Sequence, residues 1–383
     1  MISNDKLKIA EIAFSSKPIP SPKDRIFAPG IIINNISEGL KSIGHSVDLF
    51  APSDSKTKAN LVSFDVQSEY SQLWHKPEVS ELEYNIRVIQ SEQYLYSAAF
   101  EKINSEGNYN IVHCHEYRQP IYFSNFINQP IIYTYHGNPV GDIDSKLDKM
   151  RSRRFWNNNL FVAVSNKQRD LGKKYFNFVD TIPHGINLKN YTYSENKHYK
   201  DALFAGRIIW SKRPDLAIES ALKTNTPITL CGDTSKTKKD IEYFKNKVEK
   251  HFKNKLVNYS GHIEYNQMSK YYQNAKFLLM PISWHEPFGM VMIEAMACGT
   301  PVIGFNMGSV PEIVKDGKTG YVVNHKEGLG GLIKAINKIN QLSPEQYINM
   351  RRSCRECAEK EYSIEKMVRG YEKLFYKLSR DKG

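Results

Sequence analysis

No stretch of this 383-residue chain approaches the roughly 20 consecutive apolar residues that span a bilayer, so a membrane-embedded protein is not expected. The opening Met-Ile-Ser-Asn-Asp-Lys-Leu-Lys lacks the apolar core of an export signal and is expected to lead directly into a strand. Cysteines are few: five, at 114, 231, 298, 354 and 357. Odd in number and scattered, they make no disulfide framework, and Cys354-x2-Cys357 has no second pair to complete a zinc site. A reduced, cytoplasmic setting is the expectation. No zinc-finger, RNP or helix-turn-helix pattern occurs, so nucleic acid is not an expected partner. Internal repeats and low-complexity tracts are also missing.

What is present is enough apolar residue for real cores, 40% of the chain. The length exceeds the point, about 250–300 residues, where single cores stop growing, so two domains are expected. The net charge of +12 by itself suits an anionic small molecule, an anionic acceptor, nucleic acid or a membrane surface. Much of it is diffuse lysine. Over 235–255 the apolar Ile241, Phe244, Val248 and Phe252 share one helical face with lysines mostly elsewhere, the pattern of a solvated helix.

Strands and helices alternate in both halves, which predicts α/β architecture with parallel sheets. In the first half strands are expected over 7–14, 46–51, 111–115, 130–136, 160–165 and 179–183, and helices over 31–43, 92–104 and 166–174. In the second half strands are expected over 202–206, 228–231, 257–260, 277–281, 301–305 and 321–323. Its helices are expected over 214–223, 241–251, 266–274, 289–297, 328–340 and 344–359. The polar segment 184–200 reads as the linker. Met367, Tyr371, Leu374 and Leu378 recur at helical spacing over 364–378.

The richest segment reads Trp284-His-Glu286-Pro-Phe-Gly-Met-Val-Met-Ile-Glu294. An apolar strand feeds a short loop and then a helix start, where the first backbone N–H groups have no internal partner and suit a phosphate. Pro287 fits the first helical position. Phe288, Gly289, Met290 and Val291 then offer amides to an anion. At about 1.5 Å per residue Glu294 falls roughly 12 Å along the helix from Glu286. Acceptors on both sides of an anion site suit a ligand with hydroxyls at both ends and a diphosphate between them.

Together with Gly299-Thr-Pro-Val, Gly308-Ser-Val-Pro-Glu312 and Asp316-Gly-Lys-Thr-Gly320, this block resembles the donor-binding signature of glycosyltransferase family 4. The resemblance implies a GT-B fold: two Rossmann-like, doubly wound domains facing a cleft, with a C-terminal helix crossing back to the first. The implied domains are 1–185 with 364–383, on the acceptor side, and 186–363, which binds the donor. It implies retaining, metal-independent transfer of a hexose from a UDP- or GDP-sugar, with no cofactor and no metal, to an acceptor such as a glycan, glycolipid or small molecule.

By the same resemblance Arg207, after Gly206, and Lys212 neutralise the diphosphate as it leaves. His136 contacts the sugar side of the donor, Glu286 orients the hexose and Glu294 the ribose. Ile263, in Gly261-His-Ile263, contacts the base. Ser165 resembles the family's strand-end Ser, and His184-Gly-Ile-Asn187 its Pro-Asn-Gly-Val-Asp turn with His184 in place of Asn and Asn187 in place of Asp, which implies a hinge role at most. Phe27-Ala-Pro29-Gly30 departs from the family's Gly-Gly loop. Gly30 still permits close approach, while Pro29 removes one N–H.

Two other patterns carry alternatives. His113 and His115 share one face of a strand, but no third ligand at a known spacing completes a metal site; His113 reads as structural and His115-Glu116 as secondary site residues. Asp142-Ile-Asp144 has the letters of a metal-dependent transferase. Lys146, Lys149, Arg151, Arg153 and Arg154, followed by Phe155-Trp156, read either as a peripheral contact for an anionic membrane inner face or lipid-linked acceptor, or as a solvated helix face. A non-catalytic nucleotide-sugar binder on the same fold is the reading from another class.

Overall fold

The computed structural model describes residues 6–24, 27–73, 76, 78–139, 145–195, 199, 201–235 and 237–380. The chain forms two compact units, the first extending to Gly185 and resuming at Ile364, the second running Ile186–Ser363.

In the first unit, short apolar runs with almost every side chain buried make the inner strands of a sheet, while the two edge strands are mostly partly exposed. The strands are β1 (Lys8–Ile12), β2 (Ser46–Phe50), β3 (Asn60–Val62), β4 (Ile111–Cys114), β5 (Ile131–Thr134), β6 (Leu160–Ala163) and β7 (Asn177–Thr181), with β3 and β7 at the edges. All pairs are parallel, in the order β3-β2-β1-β4-β5-β6-β7. The order reverses direction between β1 and β4, the place where open α/β sheets leave a crevice at their carboxyl ends. Helix Ile364–Arg380 belongs to this unit and buries Met367, Val368, Tyr371, Leu374 and Phe375. It packs against helix Ala28–Ser42 and β4, and its Glu372 Oε1 lies 3.2 Å from the buried His45 Nε2.

The second unit repeats the plan with β8 (Ala202–Ala205), β9 (Ile228–Cys231), β10 (Val257–Gly261), β11 (Phe277–Met280), β12 (Val302–Phe305) and β13 (Gly320–Val323). The order is β10-β9-β8-β11-β12-β13, again all parallel, with the reversal between β8 and β11. Among the described residues no helix is long and apolar enough to cross a membrane.

The expected elements appear, several with corrected bounds, and short helices at Glu69–Leu73 and Val310–Ile313 are added to them. Strand β3 also has no counterpart among the expected elements; only three residues long, it gives too little pattern to see. The helix expected over 92–104 starts at Glu81, where Ser80 accepts from the Glu83 amide as its N-cap. Its first turns carry the exposed Leu82, Ile86 and Ile89, so no buried stripe marks them. The helix expected over 241–251 is Lys238–Tyr243 followed by a π turn over Phe244–Val248; Val248 is buried and Ile241 is exposed. The helix after β11 starts at Met290 with Gly289 as its N-cap. Pro287 is therefore a loop residue, and Glu286 stands outside the helix.

Candidate active site

Three corners close the carboxyl ends of adjacent strands in the second unit. Gly206-Arg207 follows β8, Gly232-Asp233 follows β9, and β10 ends at Gly261, ahead of His262. The backbones are stitched together: the Gly206 amide donates to Cys231 O at 3.0 Å and the Gly232 amide to Gly261 O at 2.8 Å. Arg207 is exposed and, among the described residues, makes no side-chain hydrogen bond. Asp233 Oδ2 lies 2.8 Å from His262 Nδ1, and Ile263 is buried beside it. Arg213 is bound to Asp215 by two parallel hydrogen bonds, Nε to Oδ1 at 2.9 Å and Nη2 to Oδ2 at 3.0 Å. That pairing sets it apart from Arg207.

Across the β8/β11 reversal stands Glu286. Its Oε2 accepts from Lys212 Nζ and from Trp284 Nε1 at 3.1 Å. The Lys212 ammonium also sits 5.1 Å from the Trp284 ring centroid, a cation–π distance. The Glu286 backbone is fixed by the loop after β12. Ser309 N–H donates to Glu286 O at 3.0 Å, and the Ser309 hydroxyl donates to Phe288 O. Gly308, at φ 55, makes this approach possible, because a Cβ there would lie 2.3 Å from Glu286 O. The Gly308-Ser309 pair thus positions Glu286, which its motif alone did not disclose.

Helix Met290–Ala297 begins without a side-chain cap, from Gly289 at φ 82. Gly289, Met290 and Val291 are partly exposed while Phe288 is buried, its ring against Tyr362. Initial helix amides of this kind seek an acceptor. One turn on, Glu294 is buried and its Oε2 accepts from Tyr272 at 2.8 Å. Burial pushes its carboxyl above the ordinary value, and hydrogen bonds from Tyr272, Tyr265 and Tyr191 pull it partly back. A solvated Glu294 is thereby excluded.

The first unit holds a second constellation at its β1/β4 reversal. Strand pairing sets Glu11 opposite His113. Glu11 Oε2 is 2.9 Å from both His113 Nδ1 and His115 Nε2. His113 Nε2 is 2.7 Å from Thr134 Oγ1, which is 2.9 Å from Tyr371 OH. His115 Nδ1 is 3.2 Å from His136 Nε2, and His136 stacks on His184 with centroids 5.3 Å apart. Burial pushes His115 down to about 4 and His184 to about 3. Burial, then His184 and His115, holds His136 well below the usual range. Glu11 feels burial upward, yet His113 and His115 outweigh it and bring it to about 2. Gln168 fixes the His136 loop from behind, donating Nε2 to Tyr135 O and Gly137 O, both at 2.8 Å. Neither Glu11 nor Gln168 carries a local sequence signal, since each acts on residues 31 to 104 positions away.

The remaining expected residues are placed as follows. Gly30 is the third residue of helix Ala28–Ser42, and a Cβ on it would meet Ser21 Oγ at 2.3 Å; packing against Ser21 favours glycine there without any ligand. Ser165 caps helix Asn166–Gly172 by accepting from the Gln168 amide at 3.1 Å, and Asn187 accepts from the Lys189 amide at 3.1 Å. Cys354 is buried, Cys357 is partly exposed, and no disulfide joins the pair. Asp142 and Asp144 lie outside the described residues.

Comparison with known proteins gives the family. The family model described as "Glycosyl transferases group 1" matches residues 191–361, and that described as "Glycosyltransferase Family 4" matches 30–190. The chain is 36% identical over 104 residues to N-acetyl-alpha-D-glucosaminyl L-malate synthase of Bacillus anthracis, a match spanning 27% of each chain. It is 29% identical over 290 residues to the uncharacterized glycosyltransferase MJ1178 of Methanocaldococcus jannaschii, covering 72% of this chain and 78% of that one. In fold it is similar to Anabaena Alr3699/HepE, solved in complex with UDP and glucose. There the TM-score is 0.71 at 15% identity, over 97% of this chain and 100% of the other.

Proposed function

Because the chain belongs to the group 1, family 4 glycosyltransferases, we propose that it moves a hexose from a UDP- or GDP-sugar to an acceptor hydroxyl with retention at the anomeric carbon. The observation that carries this is the Lys212–Glu286 pair beside the uncapped start of helix Met290–Ala297, at a topological reversal where such sheets bind ligands. The known ligands of the similar HepE support a nucleotide-sugar donor.

The donor diphosphate draws Lys212 from Glu286 and takes the amides of Phe288 to Val291, with Arg207 adding a second cation. Preorganised charge of this kind is commonly the largest catalytic term, because it stabilises the diphosphate as the glycosidic bond breaks. Glu286, released from Lys212, accepts from hexose hydroxyls. Glu294 exchanges its tyrosine partner for the ribose, and the backbone at Ile263 meets the base. The leaving diphosphate accepts the acceptor hydroxyl's proton on the same face, so no separate base is required. His136 and Gly30 enter donor binding on the strength of the family resemblance. Arg207 and Lys212 supply the charge that a metal supplies elsewhere, so transfer is expected to continue in excess EDTA.

The acceptor reading is coarser. Helix Lys146–Arg154, closed by a Ser145/Asp148 capping box, exposes Leu147 and Met150 among Lys146, Lys149, Arg153 and Arg154. That surface suits peripheral contact with an anionic inner membrane face or a lipid-linked acceptor. Arg151 is instead engaged with Tyr122 OH at 2.6 Å. Salt-sensitive binding to anionic vesicles that is lost in a Lys149/Arg153/Arg154→Gln variant supports this; unchanged binding removes it.

The deciding experiment is a thermal-shift screen of UDP-, GDP- and ADP-sugars followed by a product assay with and without EDTA. The right donor raises Tm by mass action and yields transfer or slow hydrolysis. A donor that raises Tm with no turnover in either condition leaves a non-catalytic binder, and turnover only with metal leaves the metal-dependent mechanism.

A further inference from the structure

His136 has one ring nitrogen engaged and one bare. Nε2 lies 3.2 Å from His115 Nδ1, while Nδ1 is buried with no partner among the described residues. Which nitrogen carries the proton is set further along the chain of contacts. A carboxylate only accepts, and Glu11 Oε2 stands 2.9 Å from His113 Nδ1 and from His115 Nε2. Both of those nitrogens must therefore carry hydrogen. A neutral His115 then has a lone pair at Nδ1, which must accept from His136 Nε2–H. The one nitrogen left on a neutral His136, Nδ1, is a lone pair. The other branch ends in hydroxyls, Thr134 and Tyr371, which rotate to suit either state of His113. Burial and the neighbouring imidazoles keep both His115 and His136 neutral.

We propose that Glu11, acting through His115, locks the tautomer of His136 so that its Nδ1 is presented as a hydrogen-bond acceptor to a hydroxyl-bearing ligand. Glu11 and His115 are positioning residues, and His136 is neither an acid nor a cation. Only the identity of the ligand, a sugar hydroxyl, rests on the transferase reading above. The same three groups, Glu11, His113 and His115, also have metal-ligand chemistry, with donor atoms within 4.8 Å of one another. Tetrahedral ligands at about 2.0–2.2 Å from zinc keep neighbouring donor atoms about 3.3 Å apart. Here Glu11 Oε2 lies 2.9 Å from each imidazole nitrogen and Oε1 3.2 Å from His113 Nδ1, all hydrogen-bonding distances.

The test uses ligand-free protein labelled with 15N-histidine, in which long-range 1H–15N correlations report the tautomer of each ring. His136 is assigned from the signals lost in His136→Asn. In the wild type His136 is expected as the Nε2–H tautomer alone. In Glu11→Gln, whose carboxamide donates through one atom and accepts through the other, His136 is expected to populate the Nδ1–H form. His115→Asn, which removes the link, gives the same loss of a single tautomer if Glu11→Gln does not fold. A wild-type His136 that is Nδ1-protonated or doubly protonated overturns the proposal. So does a His136 spectrum unchanged in both variants, or a stoichiometric metal in the purified protein that disappears in His113→Asn. The spectrum needs no turnover, so an absence of transferase activity leaves this result standing on its own.

Discussion

Glu286 and the histidine stack make different demands on single side chains. Removing the carboxylate in Glu286→Ala frees Lys212 and strips the group assigned to the hexose. Nucleotide binding by calorimetry is expected to survive, while the transfer rate falls by roughly 10²–10³-fold, the usual loss for one preorganised polar group. A fall below tenfold would remove Glu286 from that role. In the stack, His184 sits at about 3 against an ordinary 6.5. Below pH 6.5 the unfolded chain takes up a proton there that the folded protein refuses, so stability present above 6.5 is lost as pH falls toward 3. At about 1.4 kcal/mol for each tenfold difference in proton affinity this amounts to several kcal/mol. Glu11, at about 2 against 4.5, adds loss in the same direction at lower pH. Glu92 opposes both: burial and Glu116 raise it to about 8, so its contribution is present below 4.5 and fades as pH rises through 8. The His184 effect is therefore read as a difference. Urea midpoints of wild type and His184→Asn are expected to converge between pH 7 and pH 5, and parallel curves would contradict the assignment.

Helices and loops are held at the site by a few backbone contacts. Gly308→Ala combines an unfavourable φ with a collision against the Glu286 backbone. Strain of that kind costs about 1–3 kcal/mol, and relief requires the Glu286 loop to move. A lower Tm together with weaker donor affinity is expected, whereas Gly330→Ala, with open space around its Cβ position, leaves donor affinity unchanged. Elsewhere the helix Pro344–Glu361 clamps the polar linker. Arg355 Nη1 donates to Tyr191 O at 2.6 Å, Arg352 Nε to Glu195 Oε1 at 2.6 Å, and the buried Arg351 guanidinium lies 3.7 Å from the Tyr199 ring centroid. These three arginines hold Tyr191, Glu195 and Tyr199 against the rest of the second unit.

At the scale of the whole molecule, the first unit is completed by chain that follows the second. Five apolar side chains of helix Ile364–Arg380 are buried in it. At about 1.5–3 kcal/mol each their loss rivals the 5–15 kcal/mol that holds a typical domain. Truncation after Ser363 is therefore expected to leave the first unit unfolded while the second retains its transition. Limited proteolysis and calorimetry would show one surviving unit, and two intact transitions would refute the dependence.

The alternation of apolar runs with amphipathic segments determined two parallel α/β sheets, because strand and helix periods are local properties of neighbouring residues. The resemblance of the motifs between Trp284 and Gly320 to a known family likewise pointed to that family and drew attention to the segment around Glu286 and Glu294. Other features were decided only by tertiary structure. Pro287 could have opened the helix, but the loop held by Gly308 and Ser309 delays its start to Met290. Glu294 could have faced solvent, but it is buried beneath Tyr272. Glu11 meets His115 across 104 positions, and Lys212 meets Glu286 across 74. Such contacts follow from which strands lie side by side, and strand order is a long-range property that no local pattern carries.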